Sequence, residues 1–130
     1  MKNLNRILKK EAKAFDDIVD ARLKKGFIPD IRISKNYNFF FNNPWRNQFS
    51  RKISIDNKIN FVLKELKKKD EVLEVGCGLG TLCYEIGRKG INITGIDISK
   101  KSIDYCNFHK KKYLKSNDKI NFYNNSLSNF

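Results

Sequence analysis

The sequence has few cysteines and no pair of them in a metal-binding or redox spacing. Only three of the 130 residues are cysteine, Cys77, Cys83 and Cys106, and no two are spaced C-x-x-C. An odd number of cysteines argues against a disulfide framework and favours free thiols in a reducing compartment. Cys106 and His109 lie one helical turn apart, but two ligands do not make a closed zinc site and no second pair follows. We therefore expect no metal site.

The sequence also lacks a long apolar run, and its first residues do not resemble a secretory leader. No apolar stretch approaches the length needed to cross a bilayer. Residues 1–6 lack the apolar run and the small-residue cleavage site of a secretory signal. Hydrophobic residues make up 40% of the chain and charged residues 32%, as in globular proteins. We expect a cytoplasmic protein that does not associate with membranes.

Acidic residues are scarce, and the excess of positive charge is uneven. The net charge is +13, and residues 1–69 carry 18 Lys and Arg against 7 Asp and Glu. A basic half is typical of proteins that bind RNA or DNA. Lys, Asn, Ile, Phe and Tyr are all abundant and all have AT-rich codons, so compositional drift of the genome explains the charge equally well. We favour drift and keep RNA as an alternative partner.

The first part of the chain predicts helices and an irregular aromatic segment. An amphipathic helix is predicted over Asn3–Lys25, with its apolar stripe packed on the core. The segment Phe27–Phe49 mixes Asn, Pro and aromatics without a period, and predicts a loop or cover. A second helix begins near Ser54. We therefore divide the chain into a helix and cover segment, 1–53, and a domain, 54–130.

The domain alternates between strand and helix patterns. The predicted elements are a strand Val72–Val75 buried on both faces, a glycine turn 76–80, a helix Thr81–Lys89, a strand Ile91–Ile96, a helix from Ser99 to about Lys115, and a strand Ile120–Tyr123. This order is typical of an α/β fold with a parallel sheet and right-handed crossovers.

The glycine turn predicts a ligand site. Glycines between a buried strand and a helix let the backbone approach a ligand at the carboxyl ends of the strands. The spacing G-x-G-x-G puts Thr81 where a dinucleotide fingerprint has its third glycine, and no Gly-Lys-Ser/Thr follows. A nicotinamide-dependent dehydrogenase and a P-loop are therefore disfavoured.

Two carboxylates beside the turn add specificity. Glu74 lies inside a strand predicted to be buried, where a carboxylate needs a hydrogen bond or a cation. Asp97 ends the second strand, where it can accept two hydrogen bonds from a ribose diol. Ile98 follows and can lie flat against an adenine. Ser99 already supplies the helix cap, so Asp97 is free for a ligand.

These segments resemble the class I S-adenosylmethionine-dependent methyltransferases. Val72–Gly80 resembles motif I of that family, and Ile93–Ser99 resembles the segment after it, so the resemblance covers about half of the chain. It implies a Rossmann-like fold and S-adenosylmethionine as the cofactor. The resemblance implies four residues that line the methionine moiety, Gly76, Cys77, Gly78 and Gly80. It implies that Glu74 supports the turn and the amino group, that Asp97 holds the ribose, and that Ile98 contacts the adenine.

The sequence departs from the family at two places. Aligning the third strand puts Ser126 where the family has an acidic residue bonded to the adenine amino group. The chain also ends after its third strand, whereas the family's sheet has seven strands. We expect a truncated fold, or a second chain that completes the sheet. No catalytic base can be named.

Three functions stay open on the sequence alone. The first is methyl transfer to a small molecule, because an aromatic cover before motif I resembles the acceptor-side lid of such enzymes. The second is methylation of RNA, favoured by the basic first half. The third is a cofactor-binding remnant or partner subunit without activity, favoured by the missing strands.

Overall fold

A computed structural model describes residues 2–25, 58–114 and 119–130, without the side chains of Lys2 and Lys25. In chain order its elements are α1 (Lys2–Lys25), α2 (residues 58–65), β1 (Glu71–Val75), α3 (Thr81–Arg88), β2 (Asn92–Asp97), α4 (Lys100–Tyr113), β3 (Ile120–Asn124) and a 3-10 turn (Leu127–Asn129). The predicted cover, Phe27–Phe49, the start of the second helix at Ser54 and the domain boundary at residue 53 lie outside the described residues.

The three strands form one parallel sheet in the order β1-β2-β3. Ile93 at the centre pairs with Val72 on one side and with Ile120 on the other. Parallel neighbours cannot be joined by tight turns, so α3 and α4 carry the chain back between them. The predicted α/β, Rossmann-like sheet preceded by an N-terminal helix is confirmed.

Local signals place the helix ends close to where the sequence predicts them. Gly80 precedes α3 with φ +80°, and Gly90 follows it with φ +77°, so glycine stands at both left-handed positions. The Ser99 hydroxyl accepts a hydrogen bond from the Ser102 N–H and caps α4, as predicted. The strand and helix bounds of the α/β segment agree with the predictions to within one or two residues.

One face of the sheet packs against α3 and α4. Ile93, Ile120 and Phe122 point to this face and are buried at 4% exposure or less. Gly87 lets α3 approach the sheet closely, because a Cβ at this position would collide with Ile120. Side chains of α2 and the residues that follow it, Val62, Leu63 and Leu66, pack on the same cluster. The core of the domain therefore lies between this face and the helices.

The prediction that β1 is buried on both faces is wrong for the described chain. Leu73 is 39% exposed and Val75 is 52% exposed, and both point away from α3 and α4. The crossovers from β1 to β2 and from β2 to β3 are both expected to be right-handed, and both move in the same direction along the sheet. They therefore place α3 and α4 on the same face. The opposite face is therefore left without them. Within the described ranges β1 pairs only with β2, and a further strand or second chain along its free edge stays a prediction.

Candidate functional site

The glycine turn closes the carboxyl end of β1 against β2. The N–H groups of Gly76 and Cys77 both donate to the Ile96 carbonyl, at 2.8 and 3.0 Å. Gly76 has φ +73° and Gly78 has φ +53°, and a Cβ at either would meet nothing within 4 Å. The turn is thus bonded to the sheet on one side and open on the other. The open side is a cradle that a ligand can approach to backbone distance.

Asp97 connects this turn to the start of α4. Its Oδ2 accepts from the Gly78 N–H at 2.8 Å, and its Oδ1 accepts from the Ser99 N–H at 2.8 Å. Each carboxylate oxygen has further lone pairs, so both can accept another hydrogen bond. The two backbone donors fix the orientation of the carboxylate before any ligand arrives.

The end of β3 braces the same region. The side-chain Nδ2 of Asn124 donates to the carbonyls of Asp97 and Ile98, at 2.9 and 3.0 Å. The Asn125 N–H also donates to the Asp97 carbonyl, at 3.1 Å. Asn124 is a residue that sequence reasoning missed. Its position, directly beside the end of the second strand in the register of the sheet, is the signal that could have found it.

Helix α1 is fastened to the start of α4. Asp16 Oδ1 accepts from the Ser99 hydroxyl at 2.6 Å and from the Lys101 N–H at 3.1 Å. Asp20 forms an ion pair with the Lys101 ammonium. These contacts hold α1 across the carboxyl ends of the strands, above the glycine turn.

Only Val19 of the apolar stripe of α1 packs in a core cluster, with Leu79 and Tyr105, so the prediction that the stripe packs on the core is correct only in part. Val19 is buried, whereas Phe15 is 50% and Ile18 is 52% exposed, and all three face the space above the turn. Contacts through Asp16 and Asp20 set the rotation of the helix and leave part of its apolar face over the site. The stripe therefore forms a roof for the site.

A cavity of about 500 Å³ lies between α1 and the ends of the strands. Its lining includes five of the eight predicted site residues, which are Gly76, Gly78, Asp97, Ile98 and Ser126. The other three, Glu74, Cys77 and Gly80, are not among the lining residues. A Cβ on Gly80 would lie 2.9 Å from Phe122 Cζ, so this glycine faces the core. The structure thus gives Gly80 a supporting position, and contact with a cofactor through it, Cys77 or Glu74 stays a prediction.

The lining of the cavity is apolar apart from a few groups. Arg22 of α1 is the one basic side chain and Asp97 the one acidic side chain among the described lining residues. Arg22 carries no local sequence signal of a role, because nothing in the pattern of α1 indicates that this helix reaches the glycine turn. An anionic group and a diol could each find a partner in this cavity.

Glu74 lies behind the turn, on the side of α3. Its Oε2 accepts a hydrogen bond from the Cys83 thiol at 3.0 Å. Burial raises the pKa of Glu74 to about 7, and the hydrogen bond from Cys83 offsets only part of this effect. Gly76 and Cys77 donate to the Ile96 carbonyl and not to Glu74, so support of the turn and of the cofactor's amino group by Glu74 stays a prediction.

Glu74→Gln should raise stability at pH 8 relative to the parent chain. The folded pKa lies above the ordinary value of 4.5, so the folded state binds the proton more tightly than the unfolded state. The parent should therefore lose stability as pH rises from about 4.5 to about 7, by on the order of 3 kcal/mol, and then level off. Urea unfolding at pH 5, 6, 7 and 8 measures this slope. The variant should lack it, whereas Glu71→Gln, an exposed carboxylate in the same strand, should retain it.

None of the described helices is both long enough and apolar enough to cross a membrane. The described residues also contain no group of three or more His, Cys, Asp or Glu side chains arranged to hold a metal ion.

A methyltransferase-domain family model matches residues 66–127. The ubiquinone biosynthesis O-methyltransferase of Pelagibacter ubique is 36% identical over 110 residues, which are 84% of this chain and 42% of that protein. The enzyme of the same name from Nitrosospira multiformis is 35% identical over 57 residues, which are 44% of this chain and 23% of that protein. The chain therefore spans less than half the length of either relative.

The fold matches a solved methyltransferase. Magnesium protoporphyrin IX methyltransferase from Synechocystis PCC 6803, in a structure with bound SAH, superposes with a TM-score of 0.69 at 16% identity. The match covers 95% of this chain and 53% of that one. The matched residues 66–127 contain the glycine turn, Asp97 and Ser126. The family match over residues 66–127, the relatives and the shared fold together support a class I S-adenosylmethionine-dependent methyltransferase.

Proposed function

We propose that this chain forms the cofactor site of an O-methyltransferase that acts on a small hydroxylated acceptor. The observation that carries the proposal is the cavity that joins Gly76, Gly78, Asp97 and Ile98 beneath α1. The ubiquinone biosynthesis relatives support the small acceptor and the oxygen as the methylated atom. They give no support to the RNA alternative.

The described residues fit S-adenosylmethionine. Open space beside Gly76 and Gly78 admits the methionine portion against the backbone. The carboxylate of Asp97 would accept hydrogen bonds from the ribose hydroxyls, and the side chain of Ile98 would cover one face of the adenine. Ser126, which also lines the cavity, would accept a hydrogen bond from the adenine amino group.

The bound cofactor supplies a methyl group already activated by its sulfonium. The protein then has to hold cofactor and acceptor in line and keep water away, which is a positioning task. The apolar roof formed by Phe15, Ile18 and Val19 serves to exclude water from the cavity.

The test is transfer of labelled methyl from S-adenosylmethionine to catechol-type acceptors, with saturable binding of S-adenosylhomocysteine measured in parallel. Binding together with transfer supports the proposal. Binding without transfer to any acceptor would support a cofactor-binding subunit instead. A folded chain that binds neither S-adenosylhomocysteine nor S-adenosylmethionine would refute the cofactor site.

Arg22→Ala should weaken S-adenosylhomocysteine binding about tenfold, because Arg22 would pair with the methionine carboxylate and charge-assisted hydrogen bonds are the stronger ones. Methylthioadenosine lacks the amino-acid portion and should bind both chains equally. Calorimetry with the two ligands measures the difference. Arg6→Ala, which removes an exposed charge from the same helix, is the matched control. An equal loss for both ligands would show that Arg22 only holds α1 in place.

A further inference from the structure

Three cysteines from three different elements meet behind the glycine turn. Cys77 lies in the turn, Cys83 on α3 and Cys106 on α4, and their exposures are 6%, 0% and 0%. The Sγ atoms of Cys77 and Cys83 both lie within 2.9 Å of the point that a Cβ on Gly95 would occupy. The absence of that Cβ provides the space that brings the two sulfur atoms together.

Cys77 is the central member of this cluster. The neighbouring thiols of Cys106 and Cys83 lower the pKa of Cys77. The thiolate is the form of cysteine that attacks peroxides and disulfides, so Cys77 is the most reactive of the three. Its chain neighbours Gly76 and Gly78 line the cavity, and at 6% exposure Cys77 is the member of the cluster that keeps some contact with solvent. The methyl-transfer proposal assigns no role to these thiols.

We propose that Cys77 and Cys83 form a reversible, hydroperoxide-sensitive disulfide that controls cofactor binding; the control part rests on the proposed cofactor site. The Cys77 thiolate attacks one peroxide oxygen and becomes a sulfenic acid, with release of one water. The Cys83 thiol then attacks the Cys77 sulfur, and the sulfenic oxygen leaves as a second water. Hydrogen peroxide is the two-electron oxidant, and a dithiol restores both thiols.

Formation of this bond would disturb the turn. Bonded sulfurs are about 2 Å apart, so Cys77 and Cys83 must move toward each other into the space beside Gly95. Cys77 follows Gly76 and precedes Gly78, and the N–H groups of this short segment bond Ile96 and Asp97. The disulfide also removes the thiol hydrogen that Glu74 accepts. Both effects displace the groups that form the cradle.

Peptide mapping tests the chemistry independently of the cofactor. Cys77 and Cys83 fall in one tryptic peptide, Asp70–Arg88, whereas Cys106 falls in another, Ser102–Lys110. The purified chain is treated with a few equivalents of hydrogen peroxide, alkylated and digested. The proposal predicts that peptide Asp70–Arg88 loses two hydrogens and that neither of its cysteines is alkylated. Cys106 should be alkylated in its own peptide. A cross-link between the two peptides would instead assign Cys106 as the partner and overturn the pairing, as would a peptide that stays fully alkylated.

Calorimetry with S-adenosylhomocysteine tests the control. Oxidation should weaken binding by about tenfold or more, and dithiothreitol should restore it. Each variant is compared with its own reduced form. Cys83→Ser should keep its affinity after mild oxidation and give a dimedone adduct at Cys77, while Cys106→Ser should respond like the parent. If the disulfide forms without loss of affinity, the proposed regulation of cofactor binding is overturned. If the reduced chain does not bind S-adenosylhomocysteine, the cofactor site is refuted and the regulation with it. The disulfide itself is then still decided by the peptide map.

Discussion

Asp97→Ala should lower the affinity for S-adenosylhomocysteine by about a hundredfold. The substitution removes the proposed acceptor of two ribose hydroxyl groups, and hydrogen bonds to a charged group are worth about 1.5–3 kcal/mol each. It also frees the N–H groups of Gly78 and Ser99, which Asp97 now holds at 2.8 Å. The glycine turn and the start of α4 would then lose their common acceptor. Calorimetric titration of the full chain measures the loss.

Two variants separate recognition from folding in this experiment. Asp97→Asn keeps the shape and one acceptor oxygen, so it can satisfy either Gly78 or Ser99 but not both, and should show an intermediate loss. Asp104→Ala removes an exposed carboxylate of α4 that pairs with Lys100, and should leave the affinity unchanged. Thermal melts without ligand report the folding of each variant. Unchanged affinity in a folded Asp97→Ala chain would show that Asp97 is not a cofactor ligand.

Gly80→Ala should destabilise the fold by about 2–5 kcal/mol. Gly80 has φ +80°, and a side chain in the left-handed region costs roughly 1–2 kcal/mol. The added Cβ would also lie 2.9 Å from Phe122 Cζ and 3.1 Å from Cys106 Sγ, in a buried position. Overpacking of a filled core costs about 1–3 kcal/mol more. Urea unfolding followed by circular dichroism measures the change.

Gly90→Ala separates the conformational cost from the steric cost, because Gly90 has φ +77° and a Cβ there would meet nothing within 4 Å. This control should cost only the conformational part, about 1–2 kcal/mol. The difference between the two variants is the steric part at Gly80. Equal destabilisation of both would mean that Phe122 and Cys106 yield without cost, and that Gly80 is required only for its backbone conformation.

The features that the sequence predicts correctly are those with local signals. The glycine turn, the Ser99 cap and the alternation of strands and helices each depend on residues within one or two turns of one another. The segment pattern from Val72 to Ser99 also has a family resemblance, and it brings Gly76, Gly78, Asp97 and Ile98 to one cavity. These parts of the site are fixed by spacing along the chain.

The features that the sequence analysis missed depend on contacts between distant segments. The place of Arg22 in the cavity lining follows only once Asp16 is seen to dock α1 on α4, a contact across 83 residues. The exposure of Leu73 and Val75 depends on which face of the sheet α3 and α4 cover. The sequence of a five-residue apolar strand does not indicate which of its faces will be covered. The cysteine cluster likewise needs the sheet to bring Cys83 and Cys106 to Cys77.

The docking of α1 through Asp16 and Asp20 also has a consequence for biosynthesis. Their partners, Ser99 and Lys101, are more than 80 residues later in the chain. At ordinary rates of translation, on the order of ten seconds pass between the synthesis of α1 and that of its docking site. During this interval α1 lacks the partners that dock it, Ser99 and Lys101, so its apolar face is open to a ribosome-associated chaperone.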